Sequence, residues 1–124
     1  MKIKGIDFVV YNVSNMQRAI AFYRDTLGLP LDYEYEGNWA EFSMGPVTLA
    51  LCGPEWSQPP QRGYQGGATV ALAVEDIQAA VEGLRSKGIT VENPYETPVC
   101  YMAGGEDPDS NRLMLHQRKD GTFG

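Results

Sequence analysis

A chain of 124 residues supports one compact domain and is too short for two independent ones. Apolar residues make up 43% of it, enough for a real core, which excludes a disordered chain. The formal charge of −6 leaves no clustered Lys and Arg for a phosphate backbone, so nucleic acid is a poor partner, while a cationic ligand is weakly favoured.

The opening residues, Met1-Lys2-Ile3-Lys4-Gly5, carry no long apolar run and no small-residue cleavage site, so no signal peptide is expected. No stretch approaches the length of a membrane span. Phe8 to Val13 reads as a strand. An amphipathic segment follows, with apolar residues at Met16, Ala19, Ile20 and Tyr23, the spacing of one helix face. Ser14 with Gln17 predicts a capping box, and Gly28 a left-handed helix end. Leu29–Tyr35, Trp39–Met44 and Val47–Cys52 read as strands, the last two separated by the turn dipeptide Gly45-Pro46. Residues 57–67 are polar and rich in Pro and Gly, and read as a linker. The pattern then repeats. Thr69–Val74 is a strand, Asp76 an N-cap, and Ile77, Ala80, Val81 and Leu84 the apolar face of a helix ending at Gly88. Ile89–Glu92, Val99–Ala103 and Arg112–Gln117 are the remaining strands, the last two flanking the turn 107–111.

The chain is therefore an α+β protein written as βαβββ twice. Module 1 spans residues 1–56 and module 2 residues 68–124 of a single domain. A module of about 60 residues buries too little surface to be stable alone. Two must combine, in a U-shaped or barrel-like mixed sheet with helices outside, or pair across subunits.

Strand alternation assigns the faces. Val9, Tyr11, Val13, Leu49, Leu51, Val70, Leu72, Val74, Leu113 and Leu115 are expected to cover helices. Phe8, Ala50, Cys52, Thr69, Ala71, Met114 and His116 then look inward, with Cys100 and Met102 on the strand before the last. These line a mostly apolar pocket for a small molecule, and the competing reading is a filled core. Trp39 and Glu41 alternate on one strand and belong to the pocket mouth. An aromatic ring beside a carboxylate suits a cationic ligand, and equally suits a subunit interface with a solvated acid. Trp56, Tyr64, Tyr95 and Tyr101 read as aromatic residues in or near loops. His116, the sole histidine, and Glu41 are weak acid–base candidates. Cys52 and Cys100 make no disulfide framework, so a reducing cytoplasm fits. They read as small buried residues rather than nucleophiles.

Two motifs resemble a known family. Phe22-Tyr23-Arg24-Asp25-Thr26-Leu27-Gly28-Leu29 is similar to the FYRDxLGL signature of the vicinal-oxygen-chelate superfamily, which includes glyoxalases, bleomycin-resistance proteins and extradiol dioxygenases. Asp107 to Leu113 resembles its DPDGN turn, with Ser110 where glycine is usual. Both motifs identify fold rather than function. In metal-dependent members, one ligand comes from each of four strands. The resemblance carries those positions onto Phe8, Ala50, Thr69 and Met114, none of which is a usual ligand for a divalent ion. It thus implies no metal, no cofactor, and a homodimer. The expected function is binding of a small cationic or aromatic molecule in an inner apolar pocket. The alternative is a metal-independent enzyme of the superfamily using His116, Glu41 or a cysteine.

Overall fold

The computed structural model describes residues 2, 8–56 and 68–122. Two compact units divide the chain, Met1–Arg62 and Gly63–Gly124. Each has the same element order. Unit 1 runs β1 (Phe8–Asn12), α1 (Met16–Ile20, continuing as a π-helical turn over Ala21–Thr26), β2 (Leu31–Tyr35), β3 (Trp39–Met44) and β4 (Val47–Cys52). Unit 2 runs β5 (Val70–Ala73), α2 (Ile77–Ser86), β6 (Tyr95–Glu96), β7 (Cys100–Glu106) and β8 (Arg112–Arg118). The strands form two four-stranded mixed sheets, ordered β1-β4-β3-β2 and β5-β8-β7-β6, one in each unit. The anticipated linker, with Tyr64, lies outside the described residues.

The helix of unit 1 starts one residue later than the capping box predicts. Asn15, not Ser14, is the N-cap, and its side chain accepts the Arg18 N–H at 3.0 Å. Ser14 Oγ instead accepts a bond from the Arg18 guanidinium at 2.9 Å. Both residues are good caps, and the one in extended conformation directly before the first turn takes the role. The FYRDxLGL-like stretch ends this helix. Leu27 N–H donates to Phe22 O, five residues back, and Leu29 N–H to Tyr23 O, while Gly28 takes φ +78°. The widened turn changes the helical phase, so the adjacent Phe22 and Tyr23 both point into the core, Tyr23 with no exposed surface. Tyr23 packs at 5.8 Å on Phe42 of β3. In unit 2, Asp76 caps α2 through the Ala79 N–H, as expected.

Of the residues expected to cover the helices, Val9, Val70 and Val74 are only half-buried. Tyr11, Val13, Leu49, Leu51, Phe42 and Ala40 are buried on the helix-covered side of unit 1, and Leu72, Leu113, Leu115 and Ala103 on that of unit 2. Ile89–Glu92 is not a strand; only Val91 forms a bridge, to Gly105. Pro94 follows, which disfavours a longer ladder, and pairing resumes at Tyr95. The 107–111 turn is locked by one side chain. Asp107 Oδ1 accepts the N–H groups of Asp109 and Asn111, each at 2.8 Å, and Oδ2 accepts Asn111 Nδ2 at 2.8 Å.

Candidate functional site

The open face of the unit 1 sheet is built in register. Val10, Ala50, Glu41 and Tyr33 form one row across the four strands, and Asn12, Cys52, Trp39 and Tyr35 the next. Phe8 stands on the same face, opposite Thr48, and its ring meets Trp39 edge-on at 5.8 Å and 89°. The predicted residues Phe8, Trp39, Glu41, Ala50 and Cys52 therefore do share one face. Ala50 has no exposed surface, and Cys52 is buried; the exposed wall is aromatic. Burial pushes the Cys52 thiol above its ordinary range, which suits a packing residue rather than a nucleophile.

A tight turn aims the aromatic wall. Tyr35 to Asn38 is a β-turn with Glu36 at φ +48° and Gly37 at φ +71°, closed by Asn38 N–H to Tyr35 O at 2.9 Å. Two consecutive left-handed residues give the twist that keeps β2 and β3 paired. After β4 the chain returns to this turn. Gly53 N–H donates to Asn38 O at 2.8 Å, and Asn38 Nδ2 donates to Glu55 at 3.1 Å. A Cβ on Gly53 would lie 3.0 Å from Gly37 O and 3.1 Å from Asn38 Cα, so any side chain here would press on backbone that must give by a few tenths of an ångström. The result is that Trp56 lies beside Tyr35, ring centroids 6.1 Å apart. Tyr33, Tyr35, Trp39 and Trp56 together line a groove of about 440 Å³. Small-molecule sites occupy about 300–1,000 Å³. Tyr33 is 50% exposed and Trp56 53%, so these rings present their faces to solvent. Tyr33 and Tyr35 are absent from the sequence-based list. Their two-residue spacing on an extended segment was the available signal.

The predicted residues of unit 2 lie on one face of its own sheet. Ala71, Met114 and Gly104 form one row, and Ala73, His116, Met102 and Tyr95 the next. Thr69 precedes β5 and is exposed. Cys100 sits on the same face, buried, with Thr97 Oγ1 at 3.1 Å from its Sγ. Glu92 and Arg112 also belong here: Glu92 Oε2 is 2.6 Å, and an Arg112 terminal nitrogen 3.4 Å, from where a Cβ on Gly104 would stand. Tyr101 is a strand residue on the opposite face, under the Lys119 ammonium at 5.1 Å. Among the described residues, no three His, Cys, Asp or Glu side chains gather at one point. No helix of these residues is long and apolar enough to cross a membrane.

The family profile of the glyoxalase/bleomycin resistance protein/dioxygenase superfamily matches residues 5–115. The chain belongs to this superfamily. Among superfamily relatives, it is 30% identical over 123 residues to a lactoylglutathione lyase of Salmonella typhimurium, covering 90% of this chain and 91% of that one. It is 47% identical to the metallothiol transferase FosB of Staphylococcus haemolyticus over 49 residues, 40% of this chain and about a third, 34%, of the relative's length. Among superfamily structures, TnmS3, an antibiotic binding protein from Streptomyces sp. CB03234, superposes with a TM-score of 0.76 at 27% identity, covering 96% and 99% of the two chains.

Proposed function

We propose that this superfamily member is a binding protein for a small organic molecule carrying a flat aromatic or cationic group, held in the groove of unit 1 by Tyr33, Tyr35, Trp39 and Trp56. The observation that carries the reading is the groove itself. Three largely exposed rings, Tyr33, Tyr35 and Trp56, and the half-buried Trp39 surround about 440 Å³, an arrangement costly to leave exposed without a ligand. Glu41, in register with Tyr33, and Glu55, beside Trp56, supply carboxylates at its margin. The chain's net charge of −6 adds to their attraction for a cation. The likeness to an antibiotic binding protein supports the same reading.

In this reading no divalent metal acts at Phe8, Ala50, Thr69 and Met114, since Phe and Ala have no donor atom and Thr and Met are poor ligands for such ions. The chain works as a homodimer in a reducing cytoplasm, and analytical ultracentrifugation tests the pairing. Calorimetric titration with cationic glycopeptides and planar aromatic cations tests the function. Saturable binding is expected, with quenching of tryptophan fluorescence. Replacement of Trp39 by Ala should weaken it by about 1–2 kcal/mol, the worth of one ring on a cation or aromatic face. Absence of heat at high micromolar ligand argues against the proposal.

A second reading is favoured by the lactoylglutathione lyase relative: a metal-independent enzyme of the superfamily using His116, Glu41 or a cysteine. Glu41 and His116 belong to different sheets. Turnover that survives a chelator and disappears in His116→Ala supports this reading, and a stoichiometric divalent metal in elemental analysis argues against both.

A further inference from the structure

We propose that the open face of the unit 2 sheet binds one soft monovalent cation, Cu(I) or its analogue Ag(I), through His116, Met102 and Cys100, with Met114 as a fourth donor. The register brings these residues together. Met102 and His116 are direct cross-strand partners on β7 and β8. Such pairs hold their Cβ atoms about 4.5–5.5 Å apart. Cys100 is two residues from Met102 on the same face and diagonal to His116. Met114 is two residues from His116 and diagonal to Met102. Diagonal neighbours are about 7–8 Å apart, within reach of a thioether on a flexible stem.

The composition of this patch is selective. The chain has one histidine, two cysteines and five methionines, and the histidine shares this face with a cysteine and two methionines. A thiolate and an imidazole suit Zn(II) as well as Cu(I), but thioether donors suit only soft cations, so the two methionines are what favour Cu(I) or Ag(I). No three His, Cys, Asp or Glu side chains gather among the described residues, so a hard-ion cage is not formed here. The β5 neighbours leave space. Ala71 faces Met114 and Ala73 faces His116, both small side chains, while over Gly104, across from Met114, the Glu92 carboxylate and the Arg112 guanidinium occupy the space. Met102, Met114 and His116 are each half-buried, which gives access without full solvation. Cys100 is buried, with Thr97 Oγ1 accepting its N–H at 3.0 Å and lying 3.1 Å from its Sγ, so the thiol exchanges its Thr97 contact for the cation by a rotamer change. Binding through Cys100 exchanges the thiol proton for the cation, so no oxidant or reductant is needed. Arg118, paired with Cys100, has its guanidinium on Thr122 at 3.3 Å. This site is built from unit 2 residues alone, and the inference does not depend on the proposal for unit 1.

The test is anaerobic titration of the full chain with Cu(I) against a chromogenic Cu(I) chelator, repeated with Ag(I) and followed by proton NMR. One equivalent per chain is expected, with the His116 ring and Met102 methyl resonances shifting together. Met102→Leu and His116→Gln should each weaken binding about tenfold or more. Both changes are close in volume, and circular dichroism checks the fold. Binding abolished by Cys100→Ser yet unchanged in Met102→Leu and His116→Gln means a lone thiolate and overturns the proposal. Equal competition by Zn(II), or no binding beyond the chelator baseline, also overturns it.

Discussion

Ser110 carries a left-handed backbone, φ +67°, inside a turn fixed by three bonds to the Asp107 carboxylate. A side chain there costs about 1–2 kcal/mol, because Cβ crowds the following carbonyl. Glycine removes that cost and adds unfolded-chain entropy of about 0.4–1 kcal/mol. The first effect wins, so Ser110→Gly should raise stability by about 0.5–1 kcal/mol in urea denaturation. Cys52 gives a pH prediction. Burial penalises its thiolate and raises its folded pKa above the unfolded one. Its contribution is complete below the ordinary thiol range and is lost as pH rises through the raised value. Stability should therefore decline on the alkaline side, and Cys52→Ala should flatten that decline, as read from urea midpoints at neutral and alkaline pH.

The two βαβββ repeats are legible as elements because their helices bury one stripe and their strands one face. Those periods are written in Met16, Ala19, Ile20 and Tyr23, and in Ile77, Ala80, Val81 and Leu84. That Phe8 and Trp39 share one face of their sheet, and Met114 and His116 one face of theirs, follows from the same alternation. Phe22 is not legible in this way, since the π-helical turn that buries it breaks the 3.6-residue period. The aromatic groove is half legible. Trp39 shows as an alternating strand residue. Tyr33 and Tyr35 acquire meaning only from the pairing Tyr33↔Glu41 and Tyr35↔Trp39, and Trp56 only from the return of the chain over the turn. Gly53 eases that return. Its added Cβ would meet backbone atoms at 3.0 and 3.1 Å, which cannot swing aside as a flexible side chain would. Gly53→Ala should therefore displace Trp56, weaken ligand binding several-fold and shift the tryptophan emission, while far-UV circular dichroism stays near wild type. At α2, Asp76→Ala removes the acceptor for Ala79 N–H and should cost about 1 kcal/mol in the same denaturation assay.

Across the whole molecule, charge and contact chemistry make separable contributions to the proposed binding. Sixteen acidic residues outnumber ten basic ones, and a field of that kind speeds arrival of a cation. Added salt screens this attraction, with a Debye length of about 10 Å at 0.1 M. The rings of Tyr33, Tyr35, Trp39 and Trp56 act at contact distance, where intervening salt has little effect. A planar aromatic cation should therefore associate more slowly as sodium chloride rises from about 0.05 to 0.5 M, while its dissociation rate changes little. A neutral ring of the same shape should show almost no salt dependence in either rate. Stopped-flow tryptophan quenching with the two ligands separates the contributions. Equal salt dependence for both would show that charge plays no part in ligand choice and would leave stacking as the whole basis of recognition. A cation whose dissociation accelerates strongly with salt would instead place an ion pair with Glu41 or Glu55 at the centre of the bound state.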